Sequence, residues 1–378
     1  MKLLFRTFFI RIGLSYLSIL LVSCGSLDAV INGFLPKQSD AKRFVSREIK
    51  KSDSVFHFYK TKNVSPEIEK IGLTSRILNA HNASIDEFIK DHNTEAFLII
   101  RNDTILYEYY ESPSDSLSKF SSFSMVKPMI STLIGIAIDE NKISSVEEPL
   151  TTYLKEYKSI PGWDKIKIKH LLHHTSGIKF NSSIDNLRYY WGRSIRKNLL
   201  KVKLDTTPDA IFNYSSINTL LLGRILEEVS QTSISQYFEE KLWKQLGMES
   251  SAYWSLDSGR ENAIEKAFCC LQARTVDFAK FGRLYLNEGL WNGKQILSKS
   301  WIKYSTSPDY SGNNRHYYNN NWGLGPKEYG SFFAVGFYGQ YIYVHPEKKI
   351  LIVRIGDKVT GYHPNYWNSI FIQLVDQL

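Results

Sequence analysis

Three residues could do chemistry together: Ser124 and Lys127 in Ser-Met-Val-Lys, and Tyr214 in Asn-Tyr-Ser-Ser. Their types suit a nucleophilic serine activated by a lysine and a tyrosine, without a metal. That is acyl transfer through a covalent intermediate, in which one group withdraws a proton and another returns it. Spacing alone does not select Ser124, because Ser-x-x-Lys also begins at Ser39, Ser116, Ser176, Ser194 and Ser300. Context does. Ser124 is followed by a mostly apolar run that ends at Asp139-Glu140-Asn141. This predicts a buried helix starting near Ser124, with Pro128 in its first turn, where backbone N–H groups have no helical acceptor anyway. Lys127 then lies one turn on, on the same face. A helix N-terminus favours the negative charge of a developing alkoxide, and a buried lysine can act as a base. The other five serines stand in polar, charged, mixed or glycine-adjacent stretches.

The elements that must position these groups alternate between the two ends of the chain. Pro66 to Asp91 has roughly helical apolar spacing, interrupted by Gly72. Ala96 to Arg101 and Thr104 to Tyr110 read as strands, with Asn102-Asp103 as a two-residue hairpin turn. From Ser124 to about Gly289 the chain reads as mostly helical, with periodic stretches at Ile217–Val229, Ser233–Leu246 and Arg274–Leu286. Strand character returns at Phe332–Phe337, Gln340–Val344 and Ile350–Ile355, and Asn365–Leu378 reads as a closing helix. Runs of strands separated by a helical insert predict an α+β fold. One antiparallel sheet is built from both ends of the chain, beside a mostly helical lobe at about 124–290. The catalytic serine would lie at the seam between them.

Composition bounds the setting. Lys2, Arg6 and Arg11 precede an apolar stretch from Ile12 to Val22, too short to span a bilayer comfortably. Leu21-Val22-Ser23-Cys24-Gly25 resembles a bacterial lipobox, which implies removal of residues 1–23 and a lipid on Cys24. The expected product is an exported, membrane-anchored lipoprotein of the cell envelope, with residues 24–65 as tether and entry segment and 66–378 as one hydrolase domain. Without the three signal cations the net charge falls from +9 to +6. No dense basic stripe points to nucleic acid. Cys269 and Cys270 are expected to be small buried residues in a packed turn, since adjacent cysteines rarely bridge. His170, His173 and His174 lack the acidic partner of a zinc-protease motif, so no metal or other cofactor is expected.

Four stretches resemble the serine β-lactamase-related family, of the class C β-lactamase, D-alanyl-D-alanine carboxypeptidase, esterase and 6-aminohexanoate-dimer hydrolase type. They are the Ser124–Lys127 helix, Ile168–Gly177 with His-Leu-Leu-His-His-Thr-Ser-Gly, Phe212–Ser216 followed by Leu220–Gly223, and Ala273–Gly282. The resemblance implies a β-lactamase/transpeptidase-like fold with Ser124 as nucleophile, Lys127 as its proton partner and Tyr214 as second acid/base. It implies an oxyanion hole from the backbone N–H groups of Ser124 and Phe337. Two departures matter. Ser216 stands where β-lactamases have the Asn of Tyr-x-Asn, and Ala334-Val335-Gly336 replaces Lys-Thr-Gly. The expectation is therefore an ester or amide hydrolase acting on a small molecule, with Ser216, Trp191, Gly336, Tyr338 and Gln340 as substrate-binding candidates. The rivals are a penicillin-recognising β-lactamase or D,D-peptidase, and a catalytically silent binding module. Oligomeric state is not readable from the chain.

Overall fold

A computed structural model describes residues 33, 35–61, 65–75, 80–310, 315–358 and 365–378. The signal segment and Cys24 lie outside the described residues. An eight-stranded sheet is indeed assembled from both ends of the chain. Its order is Tyr318–Asn319, Trp322–Leu324, Phe332–Gly336, Gln340–His345, Ile350–Gly356, Thr94–Arg101, Thr104–Tyr110 and Tyr59–Lys60. Every pairing is antiparallel except that of Tyr59–Lys60 with Thr104–Ile105. Asn102 and Asp103 both take positive φ, as a tight hairpin turn demands.

The central strands are nearly continuous apolar runs because both faces of the sheet are covered. Ala96, Leu98 and Ile100 join one core cluster, while Phe97 and Ile99 join another on the opposite face. The same alternation splits Leu351, Val353 and Ile355 from Ile350 and Ile352. The first face packs on the Thr275–Leu286 helix, and the second on Asn365–Gln377. No helix among the described residues is long and apolar enough to cross a membrane.

Three expectations need correction. Pro66 to Asp91 is not a broken helix but a helical turn at Pro66–Glu69, a hairpin of Leu73–Ser75 with Ala80–Ala83, and a helix at Ile85–Lys90. A Cβ on Gly72 would lie 1.7 Å from the Asn82 side-chain oxygen, so the hairpin closes over a residue without a side chain. Gln373 and Gln377 of the closing helix hydrogen-bond the backbone of Thr74 and Gly72, giving it partners that a helix would have supplied internally. Second, the insert is not only helical. Ala252–Ser255 and Leu271–Arg274 form a four-stranded sheet with Ser46–Ile49 and Lys119–Ser121, which lies at one edge. Residues 46–49 of the entry segment are thus part of a sheet. Third, Cys269 and Cys270 are buried as expected but joined by a disulfide. Cys270 has φ +71°, a left-handed turn that brings the two side chains to the same side.

Candidate active site

Ser124 sits in a 3-10 turn, Phe123–Val126, that runs directly into the Lys127–Asp139 helix. Pro128 occupies the first helical turn, as its missing N–H permits. Phe123 is held at φ +42°, a sharp turn that exposes the residue after it. Lys127 is almost fully buried, yet its Nζ lies within 2.7 Å of Ser124 Oγ and donates to the Phe268 carbonyl at 3.1 Å. That carbonyl fixes the amine's direction whether or not the nitrogen carries its third proton. No carboxylate pairs with Lys127 among the described residues. The ring of Tyr214 stands 4.9 Å from the same Nζ and is partly open to solvent. The structure therefore gathers Ser124, Lys127 and Tyr214 at one place, between the serine helix and the Ser216–Ser230 helix.

Tyr214 is positioned by a residue whose part the sequence did not disclose. His174 accepts the Asn213 N–H on its carbonyl at 2.8 Å and the Ser215 N–H on Nδ1 at 3.1 Å, so it grips both neighbours of Tyr214. Asn218 also donates to Nδ1 at 3.1 Å, and Nε2 meets Asn321 Oδ1 at 3.0 Å. These partners require a neutral ring protonated on Nε2. Burial, then the neighbouring Lys127 charge, push His174 down to about 3. Its ring packs 4.7 Å from Tyr214 and 5.5 Å from Tyr318. His170 and His173 instead face Asp209 and Asp309. Among the described residues no group of His, Cys, Asp and Glu could hold a metal ion.

The strand end opposite Ser124 is set by close backbone approach. A Cβ on Gly336 would meet Ser122 O at 2.5 Å and Met125 N at 3.1 Å, so only glycine lets Phe332–Gly336 reach the serine turn. Phe337, whose N–H is the second oxyanion candidate, follows in a turn where Tyr338 has φ +65°. Arg354 holds this turn by donating to the carbonyls of Tyr338 (3.0 Å) and Gly339 (2.6 Å) while stacked 3.7 Å from Trp367. No carboxylate forms an ion pair with it among the described residues, and burial lowers it to about 9.

The substrate-binding candidates divide. Gly336 and the ring of Tyr338 lie at the site, but the Tyr338 hydroxyl donates to Pro36 O. Gln340 is a correction: it is fully buried, and its amide exchanges two hydrogen bonds with Gly356. Ser216 is also buried, its hydroxyl donating to Asn186 at 2.9 Å. Trp191 is likewise a correction: it is buried and packs inside against Phe44 and Tyr190. Other aromatic groups reach the site: Phe212 and Tyr318 pack on each other beside Tyr214, with Tyr317 exposed at the edge. A cleft of about 400 Å³ lined by Asp139, Glu140 and Lys241 lies at the far end of the serine helix, about 18 Å along its axis from Lys127.

Residues 85–364 match the family model described as Beta-lactamase. The chain is 22% identical over 302 residues to the 6-aminohexanoate-dimer hydrolase of Paenarthrobacter ureafaciens, covering 72% of this chain and 74% of that one. Among solved structures it resembles a "Putative 6-aminohexanoate-dimer hydrolase from Bacillus anthracis", with TM-score 0.78, 24% identity, and coverage of 90% and 92% of the two chains. A penicillin binding protein from Bacillus halodurans superposes with TM-score 0.62 at 16% identity, covering 78% of this chain and 99% of that one. At these identities the structural likeness concerns the fold alone.

Proposed function

This chain belongs to the β-lactamase family and is a serine hydrolase of that type, and from that premise we propose that it cleaves an ester or amide of a small molecule through an acyl-enzyme on Ser124. The observation that carries this is the 2.7 Å contact between Lys127 Nζ and Ser124 Oγ, beside Tyr214. Ser124 Oγ attacks the carbonyl carbon as Lys127 takes the hydroxyl proton. The oxyanion forms against the N–H groups of Ser124 and Phe337, donors of a kind worth about 3 kcal/mol each in the transition state. Tyr214 then protonates the leaving oxygen or nitrogen; in the second half it draws a proton from the water that attacks the acyl group, and Lys127 returns its proton to Ser124 Oγ as the acid departs. Aromatic edges from Phe337, Tyr214 and Tyr317 surround this point, and Ala334-Val335-Gly336 puts no cation on the strand. Those surfaces favour an uncharged, partly apolar substrate over one anchored by a carboxylate.

The test is a fluorophosphonate probe read by intact mass. One adduct is expected on the wild-type protein and none on Ser124→Ala. A Ser124→Ala protein that keeps its ester turnover would sink the proposal. A second reading, penicillin recognition, draws on the fold likeness to penicillin-binding proteins, and fluorescent penicillin at high concentration decides it. Absence of covalent labelling removes it. We also propose that Cys24 carries a lipid that places the enzyme on a membrane of the cell envelope.

A further inference from the structure

We infer that the segment Pro36–Asp40, which precedes the family-matched region, is a strap that positions both halves of the active site, with Gln38 as its principal positioning residue. The matched region begins only at residue 85. Lys119–Ser121 is an edge strand, so the outer N–H and C=O of Ser121 have no strand to pair with. Gln38 supplies that pairing from its side chain. Its Oε1 accepts the Ser121 N–H at 2.6 Å, and its Nε2 donates to the Ser121 carbonyl at 3.3 Å. Ser121 stands three residues before Ser124 and one before the Ser122 carbonyl that meets Gly336. Two residues back along the strap, Pro36 O accepts the hydroxyl of Tyr338, the residue after Phe337. Tyr338 packs its ring on Phe123 at 5.5 Å and on Phe337 at 4.4 Å. One short segment thus holds the serine turn from one side and the oxyanion turn from the other.

The strap is itself anchored. Asp40 is fully buried and accepts the Lys37 N–H at 2.7 Å and the Tyr190 hydroxyl at 3.1 Å. Phe44 follows and packs 5.2 Å from Tyr190 and 5.4 Å from Trp191. The strap touches no reacting atom. It fixes the angle between the serine nucleophile and the N–H of Phe337, a geometry in which a displacement of about 1 Å can cost on the order of 100-fold in rate.

The inference rests on Ser124 being the nucleophile, and the experiment separates the two. Second-order rate constants for fluorophosphonate labelling are measured on the full chain, with kcat and KM for p-nitrophenyl acetate. The variants are Gln38→Ala, Tyr338→Phe and, as control, Gln373→Ala. The control removes the same kind of amide clamp, on Thr74, from the opposite face of the sheet. Gln38→Ala is expected to lower labelling and kcat by about 10- to 100-fold with KM little changed, at a temperature where the protein remains folded. Tyr338→Phe moves the same way and carries the test if Gln38→Ala does not fold, while Gln373→Ala labels like the wild type. Wild-type labelling in both strap variants overturns the strap, as does an equal loss in Gln373→Ala. An unlabelled wild-type protein removes the nucleophile and the strap with it.

Discussion

At the scale of single residues, His174 is the clearest case of a side chain whose protonation state is dictated by its neighbours. Its Nδ1 accepts from Ser215 N–H and Asn218, so a proton placed there would break both bonds in a site closed to water. Desolvation is the largest cause of the depression to about 3, and the charges of Lys127 and His173 add to it against the bond to Asn321. Tyr214 and Tyr318 pack on the ring. In the unfolded chain the same group titrates near 6.5, so between about 3 and 6.5 the unfolded state binds the extra proton. The stability due to neutral His174 is therefore complete above pH 6.5 and declines as pH falls, at about 1.4 kcal/mol per unit. His174→Phe keeps the ring packing and removes the titration. Urea unfolding of both proteins at pH 7 and pH 4.5 should show the variant's deficit shrinking at the lower pH. A deficit of the same size at both values would mean that the ring is not held neutral. The meeting of these three residues was legible: the Ser124 context, Lys127 one turn on and Tyr214 all come together in space. The His174 clamp was not, because nothing in the order of residues says that one imidazole will reach the N–H of a residue 41 positions later.

At the scale of elements, the serine helix stays in place through a close approach that its sequence only hints at. Gly135 lies mid-helix, where alanine would ordinarily stabilise by about 1 kcal/mol. Here a Cβ would stand 2.5–2.6 Å from three atoms of the Trp301 indole, itself buried. Overpacking of that kind costs about 1–3 kcal/mol, so the clash outweighs the propensity. Gly135→Ala is expected to destabilise by up to about 2 kcal/mol in urea unfolding. It should leave fluorophosphonate labelling intact, since the site is more than two turns away. An alanine variant more stable than wild type would show that Trp301 yields easily. The same contrast explains which elements could be read. Thr94–Arg101 and Ile350–Gly356 were visible because coverage on both faces makes a long apolar run. Leu73–Ser75 and Ala80–Ala83 were mistaken for helix because Ile68, Ile71, Leu73, Ile85, Phe88 and Ile89 all enter one core at spacings that mimic a helical face. Ala252–Ser255 and Leu271–Arg274 were missed because strands of four residues are too short to display a period, and their partners lie far away in sequence.

At the scale of the whole molecule, the path of the chain ties the proposed anchor to the cleft. Residues 35–61 are described without a break, and by Pro36 the chain is already bonded to Tyr338 beside the oxyanion turn. Cys24 is eleven residues before Leu35 in sequence, and eleven residues can span at most about 40 Å. A lipid on Cys24 would therefore keep Leu35, where the strap beside the oxyanion turn begins, within that distance of a membrane surface. A net charge of +6 after signal removal is compatible with an anionic surface nearby. Cys24→Ser tests the anchor without touching the fold. In the native host the wild-type protein should partition with detergent-extracted membranes and incorporate a radiolabelled fatty acid, and the variant should do neither. Because the strap bonds begin at Pro36, the same variant should keep its Ser124 labelling rate once purified. Release from the membrane together with lost labelling would mean that the cleft depends on the bilayer, whereas a Cys24→Ser protein that stays with the membrane would show that something other than a lipid on this residue holds it there.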